Sequence, residues 1–221
     1  MKNLVIGQSG GPTAVINASL YGAVKAFRES GADGHVLGMI NGIEGFLADH
    51  VMDLSTDLSD KELELLKLTP AAYLGSCRYK LPADLDSEVY PAIFDNFREM
   101  NIGYFLYVGG NDSMDTVDKL SRYAEKIGSD VKFIGIPKTI DNDLVLTDHT
   151  PGFGSAAKYV ASTVREIVLD ASVYQQRSVT IVEIMGRNAG WLVGAAALSK
   201  GEDCDGPDLI YVPELPKNLV G

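Results

Sequence analysis

The segment YFLYVGGNDS (residues 104–113) contains the junction that decides the fold. Its first five residues are apolar or aromatic and predict a buried strand, and two glycines then end the strand. Ser113 opens a stretch with helical spacing of apolar residues that reaches Ile127. A strand that leads through a glycine turn directly into a helix is the repeating step of a parallel α/β sheet.

The same step recurs on both sides of this segment. Apolar runs predict further strands at 4–6, 36–39, 131–136, 179–184 and 209–212. Helical patterns cover 14–27, 59–68, 87–100, 155–171 and 189–199, and Ser59 with Glu62 matches a capping box. The alternation predicts an α/β fold: a Rossmann-like, mostly parallel sheet with helices on both faces. Because no helix follows the strand at 209–212, we expect a second similar domain that is cut short.

Charge and cysteine content exclude several classes of protein. The net charge of −11 provides no basic field for nucleic acid or an anionic membrane, so neither is expected as a partner. Cys77 and Cys204 lie far apart and do not form a disulfide or zinc pattern. The short apolar run after Met1 is broken by glycines, unlike a signal peptide. These features predict a soluble, cytoplasmic protein.

Five unusual short sequences follow predicted strands. In an open parallel sheet, ligands bind beyond the carboxyl ends of the strands. The five are QSGGPT (8–13), GGNDS (109–113), PKTIDND (137–143), MGR (185–187) and PE (213–214). Their common placement predicts a binding site at this edge of the sheet.

Two glycine turns are candidates for binding phosphate. A turn such as Gly10-Gly11 lets the backbone approach a phosphate while the next helix offers N–H donors, although a tight turn without ligand has the same sequence. Gly110 and Ser113 belong to the second turn, where Asn111 and Asp112 offer oxygen ligands for a magnesium–phosphate unit. The alternative for Asn111 or Asp112 is a helix cap.

The motif PKTIDND carries the groups most suited to catalysis. Asp141 and Asp143 are separated by one residue, so in an extended segment they would point the same way. A carboxylate near a substrate hydroxyl can take its proton as the oxygen attacks phosphorus. Thr139 can bind a phosphate or a sugar hydroxyl, and Lys138 places a cation beside the carboxylates. The alternative is a turn rich in Asp and Asn.

Arginines and one glutamate complete the candidates. Arg78, Arg177 and Arg187 could clamp phosphate, although a solvated surface charge is the usual role of an arginine. Arg177 precedes the predicted strand at 179–184, so it would have to serve a site on another copy of the chain. Glu214 could accept bonds from sugar hydroxyls or cap a loop.

The order and approximate spacing of these motifs resemble those of 6-phosphofructokinases. The resemblance covers nearly the whole chain and rests on Gly10-Gly11, GGNDS, PKTIDND, YQQRSVTIVEIMGRNAGW (174–191) and YVPE (211–214). It implies a magnesium-dependent enzyme of glycolysis that transfers a phosphoryl group reversibly to the 1-hydroxyl of fructose 6-phosphate. It also implies a homo-oligomer, dimer or tetramer, with a donor-binding domain at 1–150 and an incomplete sugar-phosphate domain at 151–221.

The resemblance assigns roles by position. Asp141 matches the catalytic base, Thr139 belongs to the same substrate-binding stretch, and Asp143 matches a carboxylate important for the metal–phosphate arrangement. Donor binding falls to Gly11, Gly110, Asp112, Ser113 and Lys138. Sugar-phosphate binding falls to Thr139, Asp141, Met185, Gly186, Arg187 and Glu214, and to Arg177 reaching a neighbouring subunit.

Two positions indicate the phosphoryl donor. Family members that use ATP carry glycine where this chain has Asp112 and Lys138, whereas members that use pyrophosphate carry Asp and Lys. Asp112 adds bulk and charge where the α-phosphate of ATP would lie, and Lys138 adds a cation near the transferred group. Asp112 and Lys138, with Asp141, are therefore the predicted catalytic residues of a pyrophosphate-dependent enzyme.

Two departures keep alternatives open. The family usually has aspartate where this chain has Asn111, the predicted magnesium ligand, so one ligand charge is lost. Chains of the family also continue well past residue 221. The alternatives are an ATP-dependent phosphofructokinase and a truncated copy without catalytic activity.

Overall fold

The first unit of the chain is built around a five-stranded sheet. The computed structural model describes residues 2–215, which divide into two units after Lys138. The strands of the first unit are β1 (Asn3–Gln8), β2 (Val36–Met39), β3 (Val51–Asp53), β4 (Ile102–Gly109) and β5 (Lys132–Pro137). Their spatial order is β3-β2-β1-β4-β5, and all pairs are parallel except β2 with β3. The predicted mostly parallel sheet is confirmed, with an antiparallel edge strand added.

Helices cover both faces of this sheet, as predicted. They are α1 (Ala14–Glu29), α2 (Gly42–Leu47), α3 (Asp60–Leu66), α4 (Val89–Glu99) and α5 (Asn111–Ile127). In the part of the chain that is described, no helix combines the length and apolar content needed to cross a bilayer.

The strand side chains alternate between two apolar cores. Leu106 and Val108 of β4 pack with residues of α1 and α3, including Leu20 and Leu63. Their neighbours Phe105 and Tyr107 face the other way, into an aromatic core shared with α2, α4 and α5. Because successive side chains of a strand point to opposite faces, a continuous apolar run is what a sheet covered on both sides requires.

The strand register brings three strand ends to one edge of the sheet. Gln8 of β1 lies opposite Val108 of β4, and Gly109 of β4 lies opposite Pro137 of β5. The residues that follow these strands therefore emerge side by side. This edge carries the first two of the five motifs and the start of the third, Pro137 and Lys138.

The capping box predicted at α3 is present. The Ser59 hydroxyl accepts a hydrogen bond from the Glu62 N–H at 3.3 Å, and the Glu62 carboxylate accepts one from the Ser59 N–H at 2.9 Å. Two of the N–H groups at the helix start thereby gain partners.

Replacing Ser59 with alanine should lower the free energy of unfolding of the first unit by about 1 kcal/mol, because the N-cap acceptor is lost. Urea denaturation followed by circular dichroism measures the change. Ser59→Thr keeps the hydroxyl and serves as the matched control. Equal losses in both variants would show that the hydroxyl is not the stabilising group.

The second unit contains helices and little regular sheet. It comprises α6 (Phe153–Ser172), α7 (Trp191–Gly194) and a 3-10 helix (Ala195–Ser199). The helix predicted over 189–199 is thus a short α-helix that continues as a 3-10 helix. A small core forms around Ala157, Leu192 and Ala195.

The strands predicted at 179–184 and 209–212 are wrong, because neither segment forms a strand among the described residues. The alternating side chains of Val179 and Ile181 are 91% and 90% exposed. A strand exists only when a neighbour supplies partners for its N–H and C=O groups. No strand lies beside either segment in residues 139–215, so an apolar alternation alone does not produce one.

Candidate functional site

The turn after β1 leaves its glycine backbone open. Gly10 has φ +76°, a conformation that favours glycine, and a Cβ placed on Gly11 would contact nothing within 4 Å. Thr13 precedes α1 in an extended conformation, and its hydroxyl oxygen is buried without a hydrogen-bond partner among the described residues. An open backbone, a helix start and an unused hydroxyl are features that suit an anion.

The turn after β4 leads into α5 two residues earlier than predicted. Gly110 is the N-cap residue, and α5 begins at Asn111. Neither Asn111 nor Asp112 is therefore the N-cap residue, and both side chains are exposed in the first turn. Ser113 is buried against Gly109, so its hydroxyl faces the interior rather than the turn surface.

Lys138 joins these two turns. Its ammonium group donates a hydrogen bond to the Gly11 carbonyl oxygen, and its backbone N–H donates to the Gly109 carbonyl oxygen at 2.9 Å. The residue is only 5% exposed. A buried cation is costly unless it is paired or hydrogen-bonded, so its placement here is specific. The structure thus brings together Gly11, Gly110 and Lys138, three of the predicted donor-binding residues.

The segment at residues 75–80 braces the first turn and was missed by the sequence analysis except for Arg78. The Ser76 hydroxyl donates to the Gly10 carbonyl oxygen at 2.6 Å, and the Gly10 N–H donates to the Cys77 carbonyl oxygen at 3.3 Å. Arg78 is exposed in this segment. The Lys80 ammonium lies 3.1 Å from the Asp112 carboxylate. This contact joins residues far apart in the chain, so the spacing of residues in the sequence does not predict it.

The buried phenol of Tyr107 packs against Cys77 in the segment at residues 75–80. The Tyr107 hydroxyl lies 3.6 Å from the Cys77 sulfur, and a Cβ placed on Gly42 would lie 2.7 Å from each of these atoms. Burial raises the pKa of the Tyr107 phenol, so the group stays protonated at neutral pH. Gly42 also has φ +60°, so space and backbone conformation both favour glycine there.

In the second unit, the residues TIDND curl around the Thr139 hydroxyl. This hydroxyl donates to the Asp143 carboxylate and accepts from the Asp141 N–H, both at 3.1 Å. Asn142 has φ +57°, so the segment is a turn, and the prediction that it is extended was wrong. One oxygen of Asp141 is shielded from solvent, whereas Asp143 is exposed. The two carboxylates therefore have different surroundings.

The Asn142 side chain fixes this turn. Its amide nitrogen donates to the Asp148 carbonyl oxygen at 3.0 Å, and its oxygen accepts from the Thr150 N–H at 2.8 Å. The Thr150 hydroxyl in turn donates to the Thr139 carbonyl oxygen at 2.8 Å. Asp141 is held by a hydrogen-bonded loop, as a positioned catalytic group requires.

The remaining candidates lie elsewhere in the second unit. Gly186 has φ +115°, and Met185 and Arg187 beside it are exposed. The Glu214 carboxylate accepts from the Gly190 N–H at 2.6 Å, which is the capping contact that the sequence left open as an alternative. Arg177 is exposed, and the argument that placed it at one end of a strand does not hold because 179–184 is not a strand.

Oxygen donors for a metal are few. Among residues 2–215, no group of three or more His, Cys, Asp and Glu side chains is placed to hold a metal ion. Asn111 and Asp112 present oxygens in the first turn of α5, and magnesium commonly binds through one or two protein ligands together with substrate phosphates. The donor set therefore fits a cation that arrives with a phosphate ligand.

Comparison with protein families gives one match over most of the chain. The family model described as Phosphofructokinase matches residues 3–220. The match includes both glycine turns, the TIDND turn and Glu214.

Individual relatives extend this comparison. The chain is 44% identical over 218 residues to the pyrophosphate--fructose 6-phosphate 1-phosphotransferase of Halomonas elongata, covering 96% of this chain and 52% of the relative. It is 40% identical over 217 residues to the sulfofructose kinase of Alkalicoccus urumqiensis, covering 98% and 54%. The chain thus spans about half the length of these curated relatives.

A solved structure agrees with the fold. The pyrophosphate-dependent phosphofructokinase of Nitrosospira multiformis superposes with a TM-score of 0.85 at 41% identity, over 93% of this chain and 51% of that chain.

Proposed function

Because the chain belongs to the phosphofructokinase family, we propose that it forms part of a pyrophosphate-dependent 6-phosphofructokinase. The reaction is the reversible transfer of a phosphoryl group from pyrophosphate to the 1-hydroxyl of fructose 6-phosphate, giving fructose 1,6-bisphosphate. The observation that carries the proposal is the buried Lys138 bonded to both glycine turns, with Asp112 in the first turn of α5. Relatives at 41–45% identity named for pyrophosphate support the choice of donor.

The donor half of the site binds and orients pyrophosphate. The open backbone at Gly11 and the helix starts beyond the two turns supply N–H groups and positive dipole ends to its oxygens. Lys138 supplies a positive charge that stabilises the phosphoryl group during transfer. Magnesium would be held by the Asn111 side-chain oxygen together with substrate phosphates, and when bound it would neutralise phosphate charge.

The acceptor half supplies the base. The Asp141 carboxylate takes the proton of the sugar 1-hydroxyl while that oxygen forms its bond to phosphorus. The bond from phosphorus to the bridging oxygen of pyrophosphate breaks, and orthophosphate leaves. Thr139, Met185, Gly186, Arg187 and Glu214 are the proposed groups that position the sugar phosphate. A homo-oligomer in which Arg177 serves a neighbouring subunit, and a cytoplasmic location, stay predictions.

A donor assay on the full-length protein tests this function. Purified enzyme is given fructose 6-phosphate with either pyrophosphate or ATP, and fructose 1,6-bisphosphate is measured. We expect a higher kcat/KM with pyrophosphate, since Asp112 and Lys138 both favour it. A preference for ATP would support the ATP-dependent alternative, and no turnover with either donor would support a non-catalytic protein.

A second acceptor deserves the same assay. The relative from Alkalicoccus urumqiensis is named a sulfofructose kinase and is nearly as similar to this chain as the relative from Halomonas elongata. A sulfonate and a phosphate are both anionic groups with several acceptor oxygens. Comparing kcat/KM for sulfofructose and fructose 6-phosphate, with pyrophosphate as donor, decides between the two acceptors.

Replacing Lys138 with methionine should lower kcat/KM for pyrophosphate about tenfold to a hundredfold, because charge-assisted hydrogen bonds contribute about 1.5–3 kcal/mol. Lys132→Met makes the same substitution at the exposed amino end of β5 and should leave the value unchanged. Circular dichroism confirms that both variants are folded. A folded Lys138→Met enzyme with normal kcat/KM would remove Lys138 from the donor site.

A further inference from the structure

Lys80 contacts the donor half of the site, although no motif pointed to it. Its ammonium nitrogen lies 3.1 Å from Oδ1 of Asp112. Both side chains extend from different elements: Asp112 from the first turn of α5, and Lys80 from the segment that braces the Gly10 turn. The contact therefore connects the surroundings of the two glycine turns.

The pair contributes little to the stability of the fold. The Lys80 and Asp112 side chains are 71% and 73% exposed, and exposed ion pairs are screened by solvent. The segment that carries Lys80 is nevertheless well fixed. The hydroxyls of Ser9 and Ser76 and the Gly10 N–H all make hydrogen bonds between this segment and the first turn. Hydrogen bonds at Ser76 and Cys77 therefore fix the backbone shortly before Lys80.

Asp112 creates an electrostatic problem for the proposed donor. Pyrophosphate carries several negative charges, and the chain already has a net charge of −11. A carboxylate at the entrance to the phosphate-binding turns repels an anionic donor of any kind. Exclusion of a nucleotide by Asp112 is therefore useful only if pyrophosphate is not excluded as well.

We propose that Lys80 is a specificity-determining residue that acts through Asp112. It offsets the charge of the Asp112 carboxylate, so Asp112 excludes a nucleotide mainly by the volume of its side chain while pyrophosphate still enters. This inference rests on the proposed function and adds a residue to it. Lys80 is a positioning residue in this scheme, because its partner is Asp112 rather than the donor.

Steady-state kinetics of the full-length enzyme test the proposal. Lys80→Met should raise KM for pyrophosphate about tenfold with kcat within about twofold of wild type, since an uncompensated charge weakens binding rather than transfer. Lys80→Arg retains the charge and should restore most of the affinity. Lys61→Met, an exposed lysine of α3, is the matched control and should change nothing.

A double variant separates action through Asp112 from direct contact with the donor. In an Asp112→Asn background no carboxylate remains to be offset, so Lys80→Met should then change KM for pyrophosphate less than twofold. The proposal is overturned if Lys80→Met raises KM equally in both backgrounds, or if it changes KM in neither. If wild-type enzyme does not use pyrophosphate, the proposed function fails, and that result is seen before any variant is made.

Discussion

Asp141→Asn should lower kcat for fructose 6-phosphate about a hundredfold or more in the full-length enzyme. General base catalysis contributes on the order of 10²–10⁴ to the rate, and an amide cannot accept the hydroxyl proton. The substitution keeps the shape of the side chain. The hydrogen bond from the Asp141 N–H to the Thr139 hydroxyl involves the backbone and survives, as do the contacts of Asn142.

Asp148→Asn is the control for this experiment. It makes the same change at an exposed position of the same loop, where only the backbone carbonyl is used in holding Asn142. We expect near-normal kcat for this variant and normal circular dichroism for both. Near-normal turnover in Asp141→Asn would mean that another group takes the proton.

Asp112→Gly should raise kcat/KM for ATP by about tenfold to a thousandfold. Two like charges about 4 Å apart repel by about 4 kcal/mol at an effective dielectric near 20, which corresponds to the upper figure. If Lys80 offsets most of that charge, as proposed above, Asp112 excludes ATP mainly through its side-chain volume, and the gain lies near the lower figure. Glycine removes both the carboxylate and its bulk from the start of α5.

Asp118→Gly controls for the cost of glycine in a helix. Asp118 is an exposed residue of the same helix, paired with Arg122, and glycine there should lower stability by about 1 kcal/mol without changing the donor. The measurement is kcat/KM for ATP and for pyrophosphate in wild type and in both variants. Unchanged use of ATP in Asp112→Gly would refute the role of Asp112 while leaving the family assignment intact.

Local patterns predicted the first unit well because its side chains are buried by elements of the same unit. The run at 104–108 is apolar on both faces, as a strand between two helical layers must be, and it became β4. The strand β3 was missed because it has three residues, all only partly buried. In the second unit the pattern at 179–184 reports side-chain alternation, but it contains no information about whether a neighbouring strand exists.

For the candidate site as well, local motifs could be recognised from the sequence, whereas contacts between distant segments could not. Glycine turns and the TIDND motif are local, so the sequence alone could single out Gly11, Lys138 and Asp141 as candidates. The prediction of an extended segment, in which Asp141 and Asp143 point the same way, was wrong because Asn142 adopts a left-handed conformation. Asparagine tolerates this conformation but does not require it, so the sequence alone does not predict it. The pairing of Lys80 with Asp112 depends on how distant segments pack, so it cannot be predicted from the spacing of residues in the sequence.

The open segment at 177–184 also bears on the colloidal behaviour of the chain. Val179 and Ile181 expose β-branched side chains, and their segment has no neighbouring strand among the described residues, so its backbone groups can pair with a strand of another chain. The net charge of −11 opposes such association through long-range repulsion. Salt shortens the range of that repulsion to about 8 Å at physiological ionic strength. The surplus of acidic residues therefore opposes non-specific association through this segment, and the opposition is stronger in dilute buffer than in concentrated salt.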